Sequence, residues 1–223
     1  MDTPQKDVLK SEWHFAAPVY FIEKPEFLET AKFVSKEYLT QAKKDKPKNK
    51  LMDKLFPVTM STSFAYDERI RPLVQYITKS TWNILNNQGY AMQNQEVYMM
   101  DFWAQEHHLR SSNEEHIHGF GCQITGFYIL DAPEECSRIS AYDPRPGKKQ
   151  INLPEQDMSV ITPASLAVNY IPKAGDLYFL NSWLPHGFTR HGSEKPLKFI
   201  HFNLGSRFVQ TPPKAQDNNV EVI

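Results

Sequence analysis

From residue 96 to residue 208 the sequence breaks into short runs rich in Val, Ile, Tyr and Phe, divided by Pro, Gly, Asn and Asp. The runs fall near 96–105, 116–131, 138–143, 165–171, 176–182, 184–190 and 197–208. Many short strands at this spacing predict an antiparallel sandwich or barrel, in which each strand buries one face against a second sheet. Sixteen prolines against nine glycines suit strands and loops better than a helix bundle. At 40% hydrophobic and 13% aromatic, the 223 residues carry enough apolar surface for a sizeable core, which excludes wholesale disorder.

Upstream of this region the pattern is different. Residues 13–22 read as a strand, bent or at a sheet edge because of Pro18. Pro25 is placed to open a helix in which Phe27, Leu28, Ala31, Val34, Tyr38 and Leu39 recur at helical spacing. That helix runs into Lys43–Lys50, an octet with five lysines and one aspartate that reads as a solvated loop. A second helix is expected from Asp67 to Asn87, with Ile70, Leu73, Val74, Ile77, Trp82 and Leu85 on one stripe and Gly89 placed to stop it. The expected organisation is one domain over 1–223. Polar tails occupy 1–12 and 210–223, helical support 13–95 and a β core 96–208, with the helices packed on one face of the core.

Charge and targeting features narrow the function classes. The formal net charge is −1, so no global basic field marks a nucleic-acid or membrane-surface protein. No apolar run approaches the roughly 18 residues of a membrane span, and the first residues lack a signal-peptide core. Cys122 and Cys136 are too few for a disulfide scaffold or a cysteine-rich zinc site. A cytoplasmic protein with neither membrane nor nucleic acid as partner is expected.

Three of the eight histidines stand out. His116-Ile117-His118 places two imidazoles two residues apart, and on a strand such residues share a face. His186 follows the bend Trp183-Leu184-Pro185 after a buried strand, Leu177–Leu180. A jelly roll can bring its early and late strands side by side and so gather the three. The trio is open to two readings, a mononuclear metal site with open coordination positions or a hydrogen-bonding group. Arg190–Pro196 reads as a hairpin turn between 184–190 and 197–205, with residue 188 facing residue 198. Lys198 then shares a face with His186 and is a candidate cation for the remote carboxylate of a dianionic ligand, with Arg190 in reserve. A one-residue slip would turn Lys198 outward.

At this point the sequence resembles a family, the 2-oxoglutarate- and iron(II)-dependent oxygenases, and within it a prolyl-hydroxylase-like group common in marine bacteria and tailed phages. The resemblance rests on His116-Ile117-His118 with Thr125-Gly126-Phe127-Tyr128-Ile129-Leu130, on Asp143-Pro144-Arg145, and on Gly175-Asp176-Leu177-Tyr178-Phe179 through His186 to Phe202-Asn203. It covers roughly residues 97–205, about half of the chain. It implies a double-stranded β-helix in which His116 and His186 bind Fe(II). The co-substrate 2-oxoglutarate would chelate through its 1-carboxylate and 2-keto oxygens, and O2 would bind last. Succinate and CO2 would be released, and a C–H bond of a prolyl or other protein side chain, or of a small molecule, would be hydroxylated. The protein's share is orientation and the exclusion of water.

Two departures from the family pattern matter. Most members carry His-x-Asp or His-x-Glu where this chain has His-x-His. The third iron position then falls to His118, to water, or to a carboxylate from elsewhere, Asp143 or Glu115. Fe(II) with one carboxylate and 2-oxoglutarate sums to −1, whereas with three histidines it sums to 0. The family also tends to place Arg shortly before Phe-Asn, where this chain has Leu197-Lys198, and lysine lacks the bidentate fork of arginine. Tyr128 could add a hydroxyl to the same carboxylate, and Asn203 faces the pocket in a supporting role.

Other polar residues are set aside. Glu106-His107-His108 reads as a loop over the pocket mouth, since adjacent strand residues face opposite ways. His14, His191 and His201 read as structural or exposed. Trp103, Trp183 and Tyr142 are pocket-lining or core, and Cys122 is a small buried hydrophobe. Two rival functions remain at this level: a cupin-like three-histidine dioxygenase independent of 2-oxoglutarate, and a non-catalytic jelly-roll binding or virion-associated module.

Overall fold

The computed structural model describes residues 10–12, 14–46, 50–210 and 222. The tails expected over 1–12 and 210–223 therefore lie outside the described residues, apart from 10–12, 210 and 222. So do Trp13 and residues 47–49 of the lysine octet.

In chain order the elements are β1 (Val19–Glu23), α1 (Leu28–Asp45), α2 (Lys50–Leu55), β2 (Val58–Met60), α3 (Arg71–Asn87) and β3 (Gln95–His107). There follow β4 (Asn113–His116), β5 (Cys122–Asp131), β6 (Ile139–Tyr142), β7 (Ala167–Tyr170), β8 (Asp176–Asn181), β9 (His186–Phe188) and β10 (Leu197–Phe208). A six-stranded sheet runs β1-β8-β5-β10-β3-β2 and a four-stranded sheet runs β4-β9-β6-β7, all pairs antiparallel. Together they form the expected jelly roll, with α1 and α3 on the outer face of the larger sheet.

Strand alternation builds two cores at once. On β10, Ile200, Phe202 and Leu204 join Tyr128, Leu130 and the helix residues Ala31, Val34, Leu73 and Ile77 in a cluster under the helices. The intervening Leu197 and Phe199 join Phe127, Ile129, Tyr178, Leu180 and Phe188 between the two sheets. Side chains of one strand thus serve opposite faces of the larger sheet, as period-two geometry requires.

Several boundaries differ from the sequence reading for local reasons. The first strand is confined to Val19–Glu23. Residues 25–27 form a 3₁₀ turn, so α1 opens at Leu28. The second helix starts at Arg71 because the Asp67 carboxylate accepts from the Arg69 backbone N–H and guanidinium (3.0 and 2.9 Å), which holds 67–69 in a turn. Gly89 ends it at φ +94°, as expected. The run 116–131 is two strands, split where Phe120 (φ +53°) and Gly121 (φ +89°) turn the chain. The short α2 and β2 carry too little periodicity to be read beforehand.

The expected hairpin between 184–190 and 197–205 is not formed. β9 pairs with β4 and β6, whereas β10 pairs with β3 and β5 in the other sheet. Residues 189–196 cross between the sheets, pinned by His191. Its backbone N–H donates to the Ser111 carbonyl (2.8 Å), its Nδ1 accepts from the Ser137 N–H (3.2 Å), and its Nε2 donates to the Lys195 carbonyl (2.8 Å). Turn-type residues mark such a crossover and a hairpin alike. Among the described residues no helix is long and apolar enough to cross a membrane.

Candidate metal centre

β4 and β9 are antiparallel neighbours in which His116 lies directly opposite His186. They approach closely because Gly187 separates His186 from Phe188. A Cβ there would stand 2.6 Å from the Asn113 carbonyl oxygen and 3.0 Å from that of Glu114. The His116 and His186 ring centroids are 4.6 Å apart. His118 lies just beyond the end of β4, held by its backbone N–H donating to the Ser182 carbonyl at 2.9 Å. Its ring is 5.3 Å from that of His116 and 5.2 Å from that of His186.

Hydrogen bonds fix the ring protons. His116 Nδ1 and His186 Nδ1 each sit 2.8 Å from a backbone carbonyl, that of Glu114 and that of Leu184. A carbonyl only accepts, so both Nδ1 atoms carry the proton and both Nε2 lone pairs are left open. His186 Nε2 and His118 Nε2 are buried and have no protein partner. Burial lowers the pKa of both rings to about 4, with His116 adding to the effect in each case. At neutral pH these are uncharged imidazoles with free lone pairs, which is the donor chemistry a divalent metal takes. One potential ligand atom from each of the three lies within 4.8 Å of the others, and this trio is the group able to share an ion among the described residues.

Asp143 and Glu115, the alternative carboxylates, stay outside this group. Asp143 is bound by Arg145 and Lys148, and Glu115 by Lys149. Of the co-substrate residues expected from sequence, the structure brings only Asn203 to the space between the sheets. There its amide nitrogen donates to Asp101 (3.3 Å).

Three of those expectations are corrected. Lys198 points to the helical side, where its ammonium sits 3.1 Å from Asp131 and 4.0 Å from Glu106. Lys32 and Lys43 complete that ion network. The Lys198 placement followed from the hairpin register, and it fails with the hairpin. Tyr128 also faces the helices, donating its hydroxyl to the Lys24 carbonyl at 2.7 Å. Arg190 is exposed on the crossover.

The lumen holds polar residues that the sequence reading passed over. His201 is buried, its ring 5.3 Å from that of His118, 4.8 Å from Phe127 and 4.2 Å from Trp103. Its Nδ1 lies 3.3 Å from the Gln105 amide nitrogen and its Nε2 lies 3.0 Å from the Thr125 hydroxyl. The Gln105 carbonyl oxygen in turn meets His107 Nε2 at 3.1 Å. Complete burial keeps His201 neutral, its pKa well below the ordinary value. The signal was present, since His201 shares strand parity with Asn203. His107 belongs to this buried group at the end of β3, not to a loop over the mouth. Cys122 is the buried small residue expected.

Residues 101–203 match the model of a protein family described as "Putative 2OG-Fe(II) oxygenase". No curated protein matches the chain. Similar solved structures include a prolyl-4-hydroxylase from Pseudomonas putida, with 10% identity, TM-score 0.53, and coverage of 84% of this chain and 92% of that one. A viral collagen prolyl hydroxylase from Paramecium Bursaria Chlorella virus-1, in complex with 2-oxoglutarate (2OG), has 12% identity, TM-score 0.53 and coverage of 83% and 94%. HygX from Streptomyces hygroscopicus, with nickel and 2-oxoglutarate bound, has 12% identity, TM-score 0.53 and coverage of 85% and 82%. At these identities the likeness to solved structures is one of fold.

Proposed function

Through residues 101–203 the chain belongs to the 2-oxoglutarate- and iron(II)-dependent oxygenases, and from that premise we propose that it hydroxylates a C–H bond of a prolyl or other protein side chain. The supporting observation is the trio of imidazoles that bring one potential ligand atom each within 4.8 Å of the others, with the Nε2 atoms of His118 and His186 buried and without a partner. His116, His186 and His118 are the residues that would hold Fe(II). When bound, Fe(II) and 2-oxoglutarate supply the oxygen activation that the side chains here lack.

The chain's own residues orient and enclose. The Glu114 and Leu184 carbonyls fix the tautomers and ring planes of His116 and His186. Phe127 packs edge-on to His186 at 5.9 Å and keeps water from its inner side. At the mouth, Ile117, Phe120 and Trp183 next to the cluster are exposed apolar side chains. Such a rim suits a substrate larger than the pocket, a polypeptide segment among them.

Anaerobic titration of the protein with Fe(II) and then 2-oxoglutarate tests this reading, with the visible metal-to-ligand charge-transfer band as the signal. The band is expected to form stoichiometrically and to require His116 and His186. With substrate, O2 uptake is expected to match succinate release. Oxygen uptake that proceeds without 2-oxoglutarate would overturn the proposal in favour of a three-histidine dioxygenase. Failure to bind Fe(II) would overturn it outright.

A further inference from the structure

Among the described strands the only lysine and arginine are Lys198 and Arg207, both on β10, and no inward-facing position on the four strands around the histidine trio is cationic. β3 presents Asp101, Trp103, Gln105 and His107, and β10 presents Leu197, Phe199, His201 and Asn203. From β5 and β9 come Thr125, Phe127, Ile129, His186 and Phe188. The basic residues nearest in sequence, Lys198 and Arg190, point elsewhere, the first into an ion network with Asp131 and Glu106. No described strand places a lysine or arginine in this lumen.

Charge arithmetic gives this absence a meaning. Fe(II) contributes +2, a 2-oxo dicarboxylate −2, and three neutral imidazoles nothing, so the loaded centre sums to zero. Had residue 118 been an aspartate, the sum would be −1, and a buried uncompensated charge of that kind is expensive enough to require a cation beside it. A third histidine and a lumen without cations are therefore two halves of one neutral design.

What the far carboxylate still needs is hydrogen-bond donors. Below His186 the lumen is filled by Phe127, Phe188 and Phe199, with ring centroids 4.7–5.6 Å apart. Beside His118 it is polar instead: Thr125 and His201 are paired at 3.0 Å, and Gln105 backs the imidazole. The remaining contact of the Thr125 hydroxyl is a 3.3 Å approach to the Phe202 carbonyl, so its rotor can turn to a stronger acceptor. We propose that this chain holds its dicarboxylic 2-oxo acid without a cationic side chain: the Thr125 hydroxyl, which accepts from His201 Nε2, donates to the distal carboxylate, while His118 keeps the centre neutral.

This inference rests on the function proposed above, and one set of titrations separates the two. The Fe(II)-loaded protein is titrated anaerobically with 2-oxoglutarate and with 2-oxovalerate, which is similar in length but ends in a methyl group. Thr125→Val is expected to weaken 2-oxoglutarate about tenfold, the worth of a hydrogen bond to a charged group, and to leave 2-oxovalerate unchanged. Lys198→Ala and Arg190→Ala are expected to change neither affinity. His118→Asp makes the sum −1 with 2-oxoglutarate and 0 with 2-oxovalerate, so the preference ratio is expected to move at least about tenfold toward the monocarboxylate.

A tenfold loss of 2-oxoglutarate affinity in Lys198→Ala or Arg190→Ala overturns the inference. So does a ratio that neither Thr125→Val nor His118→Asp moves. Comparison of the two acids on the unaltered protein needs no variant to fold. If it binds Fe(II) yet responds to neither acid, the parent function falls instead.

Discussion

His116 and His186 occupy directly opposed positions of the β4–β9 pair, and each anchors its Nδ1 on the carbonyl two residues before it in its own chain. The two rings are thus held by the same local device from opposite directions, with their Nε2 atoms left for a shared ligand. His116→Ala and His186→Ala are each expected to lower Fe(II) affinity by at least about a hundredfold, at the upper end of the effects seen for groups that act on ligands indirectly. His118→Ala should cost less, about tenfold, because a water can fill the vacated position. Anaerobic equilibrium dialysis checks the order, and equal losses in all three variants would contradict it.

Gly187→Ala places a methyl group against the Asn113 carbonyl, 2.6 Å from its ideal position. The strands must separate, at a cost of about 1–3 kcal/mol, and His116 moves with β4. Iron affinity is expected to drop together with the melting temperature. A variant that melts earlier yet binds iron normally would show that β4 does not position the ligand.

Phe127 touches His186, His201, Phe188 and Phe199 from the middle of the lumen. Phe127→Ala is expected to cost about 3–5 kcal/mol in urea unfolding. It should also uncouple 2-oxoglutarate turnover from substrate oxidation by admitting water beside the histidine trio.

His107 gives the stability a defined pH dependence. Burial is the main cause that lowers its pKa to about 3, and His191 and His108, the titratable groups acting on it, push the same way. Above pH 6.5 folded and unfolded chains are both neutral there, and the full contribution to stability is present. As pH falls below 6.5 the unfolded chain binds a proton that the folded one refuses, so stability declines until about pH 3. Between pH 6.5 and 4.5 the metal-free protein is expected to lose about 2 kcal/mol more than His107→Gln does. Paired urea titrations at the two pH values measure the difference.

The sheet architecture was legible because period-two runs and turn residues set it locally. The histidine trio was legible as spacing, although His118 reaches the cluster from a loop and not along a strand. Which strands pair was not legible. Residues 189–196 carry the composition of a hairpin turn, and only the His191 hydrogen bonds, made to residues 111 and 137, turn them into a crossover. That one ambiguity misplaced Lys198, whereas His201, which shares the parity of Asn203, was open to placement in the lumen from β10 alone.

Because His118 belongs to no strand, exchanging it leaves every register intact. On the proposed reading, the electrical setting of the centre thus rests on a replaceable fitting, while the girders that carry His116 and His186 stay fixed.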